Sequence, residues 1–277
     1  MLKVMLIVTG MLMLMAVFVV RVSNAAAMVD LKTLLASPVD LTIYSADHKL
    51  VIGHARYIIK EAGKVVEVNG DSHYLDGERD WERVRMEHQP GNPLPVVTSF
   101  EVNFLAADGS VQLIEKADFK SGEASCRWSS QLQDSPYEDS LEFPPDTYAG
   151  ATSVVPLEYA LKKGVQSVHF HVFDCMPKPA VLAIDAKLEN GAVRWSYYPG
   201  DLAQMGLTPD LGWLNVVAKP FIPDISVWFD PSDGYQYVGA AKNRFYRGRS
   251  QILVRNNGHT VNAQKGPAST VATDPPK

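Results

Sequence analysis

The chain predicts a mainly β protein: one large curved antiparallel sheet, or a partly open barrel, with one or two short helices. Three observations carry that expectation. Short period-two runs recur along most of the sequence. Turn dipeptides such as Asp108-Gly109, Asn190-Gly191 and Asp233-Gly234 punctuate them. Strands and helices do not alternate, so the parallel βαβ classes are excluded.

Residues 1–27 come first. Lys3 precedes an apolar run from Val4 to Val20, and small residues close the segment at Ala25, Ala26 and Ala27. This is the pattern of a secretory leader, and it predicts a secreted or periplasmic protein. The rival reading is an uncleaved anchor, because the run just reaches the roughly 17 residues of the shortest spanning helix. The alanine cluster at cleavage distance favours removal.

Residues 28–257 are expected to form a single β-rich domain. Strands are predicted at 39–46, 50–60, 65–69, 95–105 and 110–116, then at 166–173, 180–188, 192–198, 225–229, 235–239 and 251–255. The best helix lies at 154–163, with Pro156 in its first turn, Lys162 and Lys163 in its last, and Gly164 beyond. A further helical turn is expected at 201–205. Residues 258–277 are polar and end in Asp274-Pro275-Pro276-Lys277, which predicts a disordered tail.

Apolar residues make up 46% and charged residues 21%, the mix of an ordinary folded domain. The net charge is −5, falling to about −7 once Lys3 and Arg21 leave with the leader. An acidic chain speaks against a nucleic-acid partner. No second apolar run is long enough to span a membrane. Two cysteines, Cys126 and Cys175, in an oxidising compartment predict a disulfide. A free thiol and a metal ligand are the other readings.

Four groups of residues have chemistry to offer. His169 and His171 sit two apart, so in a strand both imidazoles face one side and could share a metal, with Asp174 and Cys175 following. The bland reading is a pair of hydrogen-bonded histidines on a sheet face. Arg79, Trp81, Arg83 and Arg85 form a row opposite Glu78, Asp80 and Glu82; it suits an anionic headgroup, or cross-strand ion pairs on a solvated face. Trp195, Tyr197, Tyr198 and Trp213 bracket a proline- and glycine-rich segment, as ring platforms or as packing. Lys242, Arg244, Arg247, Arg249 and Arg255 read most simply as a charged edge strand, with an anionic envelope surface as the alternative. The sequence has no Gly-x-Ser-x-Gly elbow, His-Glu-x-x-His, phosphate loop or dinucleotide fingerprint. No cofactor is implied.

The order of parts carries a resemblance. Phe143-Pro144-Pro145-Asp146-Thr147-Tyr148, the helix at 154–163, a strand ending Val227-Trp228-Phe229 and a basic strand through Arg244–Arg249 follow one another. Together they resemble a family of exported bacterial proteins of unknown function with a strongly curved antiparallel sheet, similar in shape to periplasmic lipoprotein carriers. The resemblance implies the fold. A curled sheet leaves a concave apolar face, filled by side chains and a helix or by a ligand, and on that ground the expectation is an exported, non-catalytic protein whose sheet encloses a lipid or other amphipathic small molecule. The alternatives are a cell-envelope enzyme, hydrolytic or metal-dependent, using His169 and His171, and a structural assembly protein that binds envelope partners through its sheet edges.

Overall fold

The computed structural model describes residues 29–129, 136–195, 198, 200–210, 225–245 and 248–256. The leader at 1–27, the tail at 258–277, Tyr197, Trp213 and Arg247 lie outside the described residues. The described residues form one mostly antiparallel sheet of 15 strands with two short helices.

The first half is a meander in which each strand pairs with the one before it: β1 (Val39–Ser45), β2 (Val51–Ala62), β3 (Val65–Tyr74), β4 (Arg79–Glu87), β5 (Val96–Leu105), β6 (Val111–Asp118), β7 (Glu123–Trp128) and β8 (Tyr137–Ser140). The second half starts at β9 (Thr147–Ala149), which runs parallel to β10 (Ser167–Cys175). It then meanders through β11 (Pro179–Leu188), β12 (Ala203–Pro209), β13 (Ile225–Asp230), β14 (Gln236–Asn243) and β15 (Ser250–Arg255). The halves join where β1 pairs with β15, with Leu41 opposite Arg255 and Ser45 opposite Gln251.

This order forces curvature. The two outer strands, β8 and β9, are neighbours in sequence, yet they sit at opposite ends of the sheet. The segment from Ser140 to Thr147 spans at most about 25 Å when fully extended. The ends must therefore come together, and they overlap as in a scroll: β9 lies against β5, and β8 and β7 against β11. Among the described residues no hydrogen-bonded ladder closes the seam. Cys126 of β7 and Cys175 of β10 are joined there by a disulfide, with Cα atoms 5.8 Å apart. Trp128 Nε1 donates to the Pro177 carbonyl across the same gap at 2.8 Å. Phe143, in the connecting segment, stacks on Phe119 at 4.2 Å and meets Phe173 edge-on at 5.9 Å, and Phe173 also meets Phe100.

The helices are short because each is cut to fit the interior. α1 (Leu31–Leu34) is capped by Asp30, whose side chain accepts from the backbone N–H groups of Lys32 and Thr33, and it buries Leu31 and Leu34. α2 (Val155–Lys162) begins with Pro156 in its first turn and follows a 3₁₀ turn, Gly150–Val154. The N–H groups of Gly164 and Val165 close its C-terminus on the Leu161 and Ala160 carbonyls. Val155, Leu157 and Leu161 are buried against the concave face of the sheet. Glu158 is fully buried, and its carboxylate accepts from the Tyr237 N–H and Lys162 Nζ. A second, smaller cluster of Tyr44, Trp228, Val238, Ile252 and Val254 lies on the convex face under Tyr198 and Leu202.

Three expectations change. Residues 201–205 are not helical, and β12 runs through Ala203–Pro209. Flanking β11 and β13 offer it two ladders, and tertiary pairing outweighs a weak local preference. The strand expected at 192–198 reduces, among the described residues, to a bridge between Val193 and Leu202. The basic residues of β14 and β15 are not on an edge, because both strands lie deep inside the sheet order.

Candidate functional site

The row on β4 splits as its period-two pattern requires, and its acidic members take the inside. Arg79, Trp81, Arg83 and Arg85 are exposed on the convex face, while Asp80, Glu82, Val84 and Met86 are buried. The four exposed residues do not contribute to the interior.

Asp80 anchors the buried hub. Arg244, directly after β14, reaches across to it, with Nε at 3.0 Å and Nη2 at 2.5 Å, and places Nη1 2.5 Å from Glu78 and 2.8 Å from Gln112. Its remaining donor capacity goes to the Arg79 and Leu105 carbonyls, and the Tyr74 hydroxyl donates to Asp80 at 2.9 Å. Burial alone would pull this guanidinium down. The Asp80 hydrogen bonds, with the charges of Asp80 and Glu78, outweigh that and raise its pKa. Arg249 adds ion pairs to Asp76 at 2.5 Å and Glu78 at 2.8 Å over the Tyr74 ring, although its contact with Glu78 lacks hydrogen-bond alignment. The hub ties β14 and β15 to β4, which lies five places from β14 in the sheet order. Its role is structural.

Above the hub lies an apolar cavity. Its walls come from β1–β3 (Leu41, Tyr57, Ile59, Val68) and from β12–β15 (Val227, Tyr237, Ala240, Leu253), with the Gly150–Val154 turn as a lid. Lys242, two residues before Arg244, is the single charged side chain of this lining. The cavity volume is about 90 Å³. This is smaller than the roughly 150 Å³ that takes one benzene, so the cavity holds on the order of three or four methylene-sized groups. Gly70 makes room for the wall, since a Cβ there would lie 2.3 Å from the Tyr57 ring.

Two carboxylates stand on the concave face. Glu82, Val102 and Glu115 lie side by side across β4, β5 and β6, and Cys126 continues the row on β7. Asp174 precedes the bridged Cys175 on β10 and is half-buried. Glu82 accepts from the Ala151 N–H at 2.7 Å and packs beneath Gly150. Asp174 accepts from the Cys175 N–H at 2.7 Å. Glu115, 4% exposed, has no hydrogen-bond partner among the described residues. Burial pushes the Glu115 carboxyl well above the usual range, and the charges of Asp174 and Glu82 push it further. Burial also raises Glu82 and Asp174, and Lys242 partly offsets the rise in each.

The other predicted residues lie elsewhere. His169 and His171 do share a face, with their rings 5.4 Å apart. Each is held by its own carboxylate, His169 by Asp185 and His171 by Asp146, both at 2.8 Å. The hydrogen bond to Asp185 raises the His169 pKa. Among the described residues no three His, Cys, Asp or Glu side chains are placed to hold one metal. Trp195 packs against Trp228 on the convex face, with centroids 4.6 Å apart. Sequence reasoning missed Glu115, and named Asp174 only beside the histidine pair and Lys242 only within the basic cluster. The available signal was the acidic residue inside otherwise apolar alternation, as in Leu113-Ile114-Glu115-Lys116-Ala117.

No family model matches the chain, and no curated protein matches it. Among solved structures it is similar to a β-barrel-like protein of a domain of unknown function, DUF1849, from Brucella abortus. The two are 10% identical, with a TM-score of 0.43, over 79% of this chain and 95% of that one.

Proposed function

We propose that this chain is an exported, non-catalytic binding protein that holds one small amphipathic molecule inside its curled sheet. The observation that carries the reading is the partly open apolar cavity with Lys242 as its single charged lining residue. Such a site, largely preformed and apolar with few polar groups, is the usual form of a small-molecule pocket. Its volume of about 90 Å³ suits a short chain of about four carbons, and is too small for a diacyl lipid. Export is supported by the leader pattern of residues 1–27 and by the Cys126–Cys175 bridge, since disulfides persist in oxidising compartments.

Calorimetric titration with 1-butanol, a neutral probe, tests the reading. Burying about four methylene-sized groups yields roughly 3 kcal/mol before ordering costs, so a dissociation constant in the millimolar range is expected. Binding should be one-to-one with a negative heat-capacity change. Ala240→Phe, which fills the cavity, should abolish it. Failure of butanol to bind, together with a bare polypeptide mass in native mass spectrometry, would overturn the reading.

A further inference from the structure

We propose that the cavity takes a short-chain carboxylate of about four carbons, with its carboxylate on the Lys242 ammonium and its hydrocarbon among Leu41, Ile59 and Val68. This rests on the binding reading above and names the chemical class of the ligand.

Strand pairing places the cation. β14 and β15 pair with Ala240 opposite Leu253 and Lys242 opposite Gln251. Ala240 and Leu253 belong to the concave core, and Arg244, two residues beyond Lys242, turns inward to Asp80. The period of two therefore sets Lys242 on the concave face, where it lines the same cavity as Ala240 and Leu253. Lys242 is half-buried and, among the described residues, has neither an ion pair nor a hydrogen bond. The interior acids do not occupy its place. Asp80 is held by Arg244, Glu82 accepts from the Ala151 N–H, and neither these two nor Glu115 nor Asp174 belongs to the cavity wall. A cation against an apolar wall is costly without an anion, and a guest that brings one removes the cost.

The other polar side chains of the wall point the same way. The Thr152 and Ser153 hydroxyls already donate to the Ala149 and Gly150 carbonyls. Tyr57 and Tyr237 remain, and among the described residues neither hydroxyl has a hydrogen-bond partner. An ammonium can only donate, and a phenol has an O–H to give, so the uncommitted polar groups of the wall call for an acceptor. A carboxylate supplies two acceptor oxygens and the missing charge. An amine would set a second cation beside Lys242, and a neutral alcohol would fill the wall but leave the ammonium without an anion. The size of the cavity limits the tail, and its partly open form gives the guest a way in.

The test compares butanoate, 1-butanol and butylammonium by calorimetry at pH 7 on the full chain, with Lys242→Met and Lys242→Gln as variants. Butanoate should bind about tenfold tighter than butanol, because a hydrogen bond between charged groups is stronger than one between neutral groups. Butylammonium should bind more weakly than both. Each variant should keep butanol binding and lower the ratio of butanoate to butanol affinity about tenfold. Butanoate binding no tighter than butanol, or butylammonium binding best, would overturn the head-group assignment and leave the cavity reading standing. An undiminished ratio in a variant that still binds butanol would likewise overturn it. If none of the three probes binds the wild type, the binding reading fails as well.

Discussion

Removing the disulfide measures how the scroll is held shut. Cys126 and Cys175 are 49 residues apart. Cross-linking a loop of that length removes about 4 kcal/mol of chain entropy from the unfolded state at 25 °C. The closed loop contains β8, β9 and α2, so it holds both the seam and the plug. Both cysteines are fully buried, and each truncation to alanine adds a small packing loss. Urea titration of Cys126→Ala/Cys175→Ala against wild type should therefore show a loss of about 4 kcal/mol or slightly more. With a slope near 2.5 kcal/mol/M, the midpoint falls by about 1.5 M. Reduced wild type should behave like the double variant, which separates the bond from the packing. A midpoint shift below about 0.4 M would refute the reasoning, because the phenylalanine cluster and strand overlap alone would then hold the seam.

Other expectations follow from the buried charges. Arg244→Met strips Asp80 and Glu78 of their partner and should cost about 3–5 kcal/mol by urea unfolding, with Arg244→Lys recovering only part, since an ammonium cannot reproduce the fork. Glu115, whose pKa burial raises in the folded state, contributes stability that is fully present below the ordinary value of 4.5 and is lost as pH rises through the folded value. Stability should therefore decline from mildly acidic to neutral pH, and Glu115→Gln should flatten that decline and raise stability at pH 7; an unchanged slope would show that Glu115 is not the group responsible. Gly150→Ala places a Cβ 2.3 Å from the Glu82 carboxylate at a backbone φ of +50°, and should lower the melting temperature while weakening butanol binding. His169→Asn and His171→Asn together should leave zinc uptake unchanged by elemental analysis, because each ring is already committed to a carboxylate.

Much of the sheet was legible because alternation and turn chemistry are local. The strands at β1, β2, β5, β6, β10, β11 and β15 appear within a few residues of their expected bounds. β7, β8 and β9 were not legible: they are short, and β9 exists because β10 supplies a partner 24 positions away in the chain, as at His171 opposite Thr147. The faces of β4 were readable as two sets, but which set turned inward depends on Arg244, far along the chain, reaching Asp80. The lumen carboxylates were hidden for the same reason. Glu115 carried only the faint signal of an acid inside apolar alternation, and the curl that buries it is not encoded locally.

The meeting of β1 with β15 bears on how the molecule is made. Each meander assembles from neighbours, but the central ladder joins residues roughly 200 positions apart, at a loop-closure cost of about 5 kcal/mol. A chain lacking its last strand would be open along its middle, with β1 and β14 both unpaired, and not merely shorter at a rim. Completion of the sheet thus acts as a check on completeness: a truncated product exposes two long backbone edges, the surface most prone to aggregation and proteolysis.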